Sequence, residues 1–211
     1  MKNTTLSLAL VALFGLTAGQ AVAADADSLA AKRHPIRSKD NKIVTLETDF
    51  GKMVLELYRD VAPAHADSFL ARCRDGFYSG TIFHRVVKDF MIQGGNHMPV
   101  GKSGVSYYLP DELNELPHEF GTISMASRGK PTTAQTQFFI CLGRNRSTQG
   151  LDGNYVAFGH LLKGFDVLAK IGDVPVGPNK WMGGQEMSGP LTEVHLLKAY
   201  ESDAEGNPLK K

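Results

Sequence analysis

The run Phe83-His84-Arg85-Val86-Val87-Lys88-Asp89-Phe90-Met91-Ile92-Gln93-Gly94-Gly95 decides how this chain is read. Its first part continues a strand-like run from Thr81 to Val86, and its second is a run from Phe90 to Gln93 that stops at a glycine pair. Side chains alternate across a strand, so Arg85 is expected on one face with Phe83 and Val87, and Met91 on one face with Gln93. An arginine among apolar neighbours, beside Phe90 and Met91, has the make-up of a ligand site: an apolar hollow with a few directed donors. The same pattern also fits plain interior packing. Phe90, Met91, Phe138 and Phe139 could all be core, with Arg85 keeping its charged head in water, and alternation alone does not choose.

Working outward, Ile43 to Thr48 and Met53 to Tyr58 flank Asp49-Phe50-Gly51-Lys52 and read as a β-hairpin. Pro63 opens a segment in which Ala66, Phe69, Leu70 and Cys73 recur at helical spacing until Gly76, which predicts a short amphipathic helix. A second short helix fits Phe165 to Ile171, between Gly164 and Gly172. Further strand-like runs are Thr122 to Met125, Gln137 to Leu142, Tyr155 to Gly159 and Leu191 to Tyr200. About eight strands with two brief helices, and no alternation of strand and helix, predict an all-β fold: a closed eight-stranded antiparallel barrel capped by two short α-helices.

The ends read differently. Residues 1–23 carry Lys2, an apolar run from Leu6 to Leu16, and Ala21 and Ala23 placed for cleavage before Ala24. This is the pattern of a secretory signal peptide, with an apolar run too short to span a bilayer. Export to a periplasm is expected, full secretion being the alternative, with no membrane anchor after cleavage. Residues 24–40 are expected to be a flexible leader holding Lys32, Arg33, Arg37 and Lys39; residues 41–200 form one domain, and 201–211 a polar tail. The 211 residues are 42% hydrophobic and 21% charged, which is ordinary globular composition. With 23 Lys and Arg against 22 Asp and Glu, the chain lacks the cationic excess that nucleic-acid binding rests on. Two cysteines, Cys73 and Cys141, are too few for a disulfide scaffold, and both sit in apolar context; two buried thiols and a single bridge both remain open.

Motifs for phosphate loops, zinc proteases, dithiol redox centres and serine hydrolases are absent. What stands out is the opening run followed by Ser124-Met125-Ala126-Ser127 and by Gln135-Thr136-Gln137-Phe138-Phe139-Ile140. These segments, in this order, resemble the cyclophilin family of peptidyl-prolyl cis-trans isomerases, and the similarity runs from about Ile43 to Ala199. The resemblance implies a cyclophilin-like barrel that turns X-Pro bonds in exported proteins and assists their folding, with no metal or cofactor. By similarity, Arg85 matches the family's catalytic arginine, and Gln93 the glutamine beside it. Phe90, Met91 and Phe139 match the walls of the proline pocket, with Ala126, Ser127, Gln137, Leu151 and Tyr155 as further substrate contacts. Proline-containing polypeptides are the implied partners of a monomer. Two departures stand out: Gly150 replaces the family's aromatic before Leu151, and Tyr155 stands where histidine is usual in eukaryotic members. Losing that aromatic wall implies weak cyclosporin binding. A proline-peptide-binding or chaperone-like module with little turnover is the alternative, and a lipocalin-like carrier barrel a more distant one.

Overall fold

A computed structural model describes residues 38–95, 105–128 and 133–209. The signal peptide and nearly all of the leader expected from the sequence therefore lie outside the described residues. The order of elements is β1 (Lys42–Thr48), β2 (Gly51–Leu57), α1 (Pro63–Arg74), β3 (Thr81–Ile82), β4 (Arg85–Val87), β5 (Met91–Gly94), β6 (Thr122–Met125), β7 (Phe138–Cys141), α2 (Arg146–Gln149), β8 (Ala157–Lys163), α3 (Phe165–Gly172), β9 (Val176–Pro178), a 3-10 turn (Lys180–Met182), β10 (Met187–Pro190) and β11 (His195–Glu201).

Nine strands form one curled antiparallel sheet in the order β3-β11-β1-β2-β8-β6-β7-β5-β4. The expectation of a closed eight-stranded barrel is therefore corrected, and the cause lies at Phe83 and His84. The chain bends there, splitting the run expected as one strand into β3 and β4. β3 pairs with β11 and β4 with β5, so the two edges of the sheet are consecutive in the chain without pairing to each other. Phe83 turns inward, 1% exposed, and its N–H donates to the Val194 carbonyl at 2.9 Å. It does not share a face with Arg85, because the bend resets the alternation.

The core fills the inside of the curl. In α1 the stripe Ala66, Phe69, Leu70 and Cys73 is buried, as its spacing predicts. Phe69 packs against Tyr78 at 4.8 Å, Phe138 at 5.1 Å and Phe158 at 5.4 Å between ring centroids, joining the helix to the sheet. Each aromatic ring so buried contributes roughly 2 to 3 kcal/mol. Tyr78 keeps its hydroxyl satisfied by donating to the Thr136 carbonyl at 2.9 Å. Pro63 opens α1 without a side-chain cap on Ala62. The carboxylate of Glu112 does that work instead, accepting from the N–H groups of Ala64 and His65 at 2.9 and 3.0 Å. Gly164, which starts α3, has φ +90° and no room for a Cβ, which would stand 2.2 Å from the Lys52 carbonyl oxygen.

Three features were not anticipated. The short helix α2 is capped by Asn145, whose side chain accepts from Ser147 and Thr148. The hairpin β9–β10, with its 3-10 turn, packs beside β4. Residues 201–209, read as part of a polar tail, fold back on β1: Ser202 donates its N–H to the Ile43 carbonyl and bridges to Pro208. Cys73 and Cys141 are both buried free thiols, and burial pushes each thiol pKa up.

Candidate functional site

The site lies on the face of β4, β5 and β7 opposite the core. Register puts Arg85 across from Gln93 and Gln93 across from Phe139, so three strands present these side chains in one row. The next row holds Val87, Met91 and Cys141. The intervening residues, Val86, Ile92, Phe138 and Ile140, point into the main core. Met91, Phe139, Cys141 and Leu151 form a separate apolar cluster, with Val87, Phe90, Ala126 and Tyr155 packed against it. Successive residues of β7 thus go to opposite faces: Phe138 joins the main core, and Phe139 joins the second cluster.

Above this second cluster is a cavity of about 350 Å³. All ten residues singled out from the sequence line it: Arg85, Phe90, Met91, Gln93, Ala126, Ser127, Gln137, Phe139, Leu151 and Tyr155. Phe139 and Tyr155 meet edge to face at 5.8 Å. A polar line crosses the floor: Arg85 donates from Nη1 to Gln93 Oε1 at 3.1 Å, and Gln93 donates from Nε2 to Gln137 Oε1 at 2.9 Å. The Ser127 hydroxyl oxygen is buried without a hydrogen-bond partner among the described residues. Gly150, exposed at the end of α2, does not reach the cavity. Trp181 does not line it either; its ring lies 6.1 Å from that of His84.

Four further lining residues escaped the sequence reading: Arg128, Thr133, Gln135 and Met182. Gln135 was within reach, because alternation from Phe139 through Gln137 leads to it. Its amide donates to the carbonyls of Val105 and Tyr107, holding the 105–119 segment against the rim. The largest omission is Glu186, whose Oε1 accepts from Arg85 Nε at 2.7 Å from a position 101 residues away. Burial alone would raise its carboxyl pKa, but hydrogen bonds from Arg85 and Ser188 and the guanidinium charge hold it below the ordinary glutamate value.

Behind Phe139 the His118 ring stacks at 5.9 Å. His118 faces Asp152 through Nδ1 and Ser124 Oγ through Nε2, each at 3.1 Å, and Arg144 closes the set on Asp152 at 2.6 Å. Burial lowers the His118 pKa, while the hydrogen bond and charge of Asp152 pull it the other way. Ser124 is fully buried and its hydroxyl donates to the Val156 carbonyl, so this Ser-His-Asp arrangement supports the floor and has no access to a substrate. His84, on the other side of Arg85, is lowered to about 4 by burial and by the Arg85 charge.

The cavity combines an apolar floor, amide groups, and a guanidinium with donors to spare. That equipment can grip an uncharged ring and polarise an adjacent amide. Comparison with known proteins agrees with this chemistry. The family model described as "Cyclophilin type peptidyl-prolyl cis-trans isomerase/CLD" matches residues 43–195. A mouse protein, peptidyl-prolyl cis-trans isomerase-like 1 of Mus musculus, is 38% identical over 75% of this chain and 92% of its own length. Peptidyl-prolyl cis-trans isomerase CYP18-2 of Arabidopsis thaliana is 41% identical over 76% of this chain and 93% of its own. A crystal structure of a cyclophilin-type isomerase from Cryptosporidium parvum, determined in the presence of the dipeptide Ala-Pro, superposes with a TM-score of 0.64. It has 30% sequence identity and covers 77% of this chain and 99% of its own.

Proposed function

The chain belongs to the cyclophilin-type peptidyl-prolyl cis-trans isomerase family, and from that membership we propose how its own residues turn an X-Pro bond. The enzyme accelerates cis-trans rotation in proline-containing polypeptides. Amide resonance sets a barrier of roughly 18 to 20 kcal/mol, and rotation breaks no bond. A site that prefers the twisted amide is therefore sufficient.

In this reading the proline ring rests on Phe139, Met91, Phe90 and Leu151, with Tyr155 as the far wall. Arg85 donates to the amide as resonance is lost and its nitrogen becomes pyramidal, while Gln93 holds the guanidinium and the peptide in register. The residue before proline runs along Ala126, Ser127 and Gln137. A charged hydrogen bond of about 1.5 to 3 kcal/mol corresponds to about 10 to 150-fold in rate, so one donor does not account for catalysis. Desolvation over the apolar floor and fixed orientation supply the rest.

The observation that carries this reading is the row Arg85, Gln93, Phe139, which places a tethered guanidinium at the edge of an apolar floor. Its test is the cis-to-trans relaxation of an X-Pro peptide with and without the protein. Rapid relaxation that collapses in Arg85→Ala supports the assignment, and wild-type turnover in that variant would overturn it.

We assign the protein to the bacterial exported kind, acting as a monomer on polypeptides in the periplasm, on the strength of Lys2, the Leu6 to Leu16 run and the Ala21-x-Ala23 site. Amino-terminal sequencing of the protein from cell fractions checks this: Ala24 as first residue in a periplasmic fraction is expected, and an intact Met1 in the cytosol contradicts it. Cyclosporin binding is expected to be weak, since the backbone at Gly150 offers no aromatic wall.

A further inference from the structure

An arginine side chain ends in five N–H donors held in one plane. In Arg85 two of them are committed, one on Nε to Glu186 at 2.7 Å and one on Nη1 to Gln93 at 3.1 Å. Anchors on two different nitrogens stop the plane from turning about the bond that carries it. The remaining donors, both on Nη2 and one on Nη1, have no partner among the described residues, and Arg85 lines the cavity.

Glu186 is itself held from several directions. Its carbonyl accepts from the Asn179 N–H at 2.8 Å, and its carboxylate is hydrogen-bonded by Ser188. Asn179 is fully buried and uses its amide on two sites at once, donating to the His84 carbonyl and to Ser188 Oγ, each at 2.9 Å. The β9–β10 hairpin is thus fastened to the residue immediately before Arg85, so carboxylate and guanidinium sit on one rigid frame. Both side chains are partly buried, at 23% and 34% exposure, unlike the freely solvated pairs that contribute little.

We infer that Glu186 is a positioning residue for the isomerisation: by taking the Nε donor it holds the Arg85 guanidinium in the one orientation that leaves its free donors facing the X-Pro amide. The inference rests on the function proposed above. It has a definite sign, because a carboxylate beside the arginine also removes net positive charge from the cavity. If charge rather than orientation controlled the rate, deleting Glu186 would speed the enzyme.

The experiment compares the full chain with Glu186→Ala, Glu186→Gln, Arg85→Ala and the Glu186→Ala/Arg85→Ala double variant, using one X-Pro peptide and separate kcat and KM. Glu186→Ala should lower kcat roughly tenfold with KM changed less than about twofold, the mark of an interaction that counts in the transition state. Glu186→Gln keeps an oxygen acceptor for Nε and should recover activity to within about threefold. The double variant should be no slower than Arg85→Ala alone, since the two groups act as a unit. The Arg85 Nε–H resonance should be protected from solvent exchange in the wild type and in Glu186→Gln, and exposed in Glu186→Ala. Unchanged or faster turnover in Glu186→Ala, or an equal loss in the Arg85→Ala background, would overturn the inference. So would a loss that tracks a lowered melting temperature and is not rescued by Gln, since that places Glu186 in the fold of the hairpin only. A wild type without isomerase activity would instead sink the proposed function, and this inference with it.

Discussion

Phe138 and Phe139 are neighbours in the chain and almost equally buried, at 0% and 5% exposure, yet they belong to different parts of the molecule. Phe138 enters the main core, with Phe69, Tyr78 and Phe83 within 6.0 Å between ring centroids. Phe139 lies on the other face of the same strand, with His118 behind it and a cavity in front. Burial alone does not separate a core residue from a binding residue. What separates them is whether a second layer of structure closes over the side chain or leaves it facing a space that another molecule can fill.

The comparison breaks most decisively at Phe138. Phe138→Ala should cost about 3 to 5 kcal/mol of stability, read from urea unfolding, because the closed core cannot refill the hole. A loss under 1 kcal/mol would mean the two faces are not distinct. Arg85→Ala should lower kcat/KM by about 100 to 1000-fold, as expected for a preorganised donor, with a stability loss well below that of Phe138→Ala.

The third prediction concerns His84, buried beside Arg85, whose folded pKa of about 4 lies below the ordinary 6.5. Above 6.5 neither state is protonated and nothing is lost. Between 6.5 and 4 the unfolded chain takes up a proton that the folded chain refuses, so stability falls as pH falls, by about 2 kcal/mol at pH 5. His65 and His118 are shifted in the same direction, so the His84 share is isolated by His84→Leu, which should lose less stability between pH 7 and pH 5. An imidazole titrating near 6.5 by NMR would contradict the assignment.

The smallest effect is expected for Phe139→Ala: roughly tenfold in kcat/KM, shared between KM and kcat, with a stability loss well below that of Phe138→Ala. Equal stability losses in the two variants, with unchanged kinetics, would return Phe139 to the core.

Much of this site was legible because its parts lie on strands, where a two-residue period assigns faces without knowledge of the partner strand. That period sent Met91 and Gln93 to one side. It would have added Gln135 had the run before Phe139 been followed one step further. It failed at Phe83, where the chain bends between β3 and β4, since a bend resets the alternation and leaves no local trace in residues as strand-like as Phe and His. It also had nothing to say about Glu186, which lies in Gly183-Gly184-Gln185-Glu186, a stretch without period whose position depends on Asn179 reaching the backbone of His84.

Local spacing and residue type therefore determined the helix stripes, the strand faces and the family likeness, because helix and strand periods are properties of a few consecutive residues. The splitting of β3 from β4 within a curled nine-stranded sheet, the refolding of 201–209 onto β1, and the carboxylate on Arg85 were decided only in three dimensions. Each depends on a hydrogen bond between segments far apart in the chain, and whether such a bond can form is set by how the whole sheet curls.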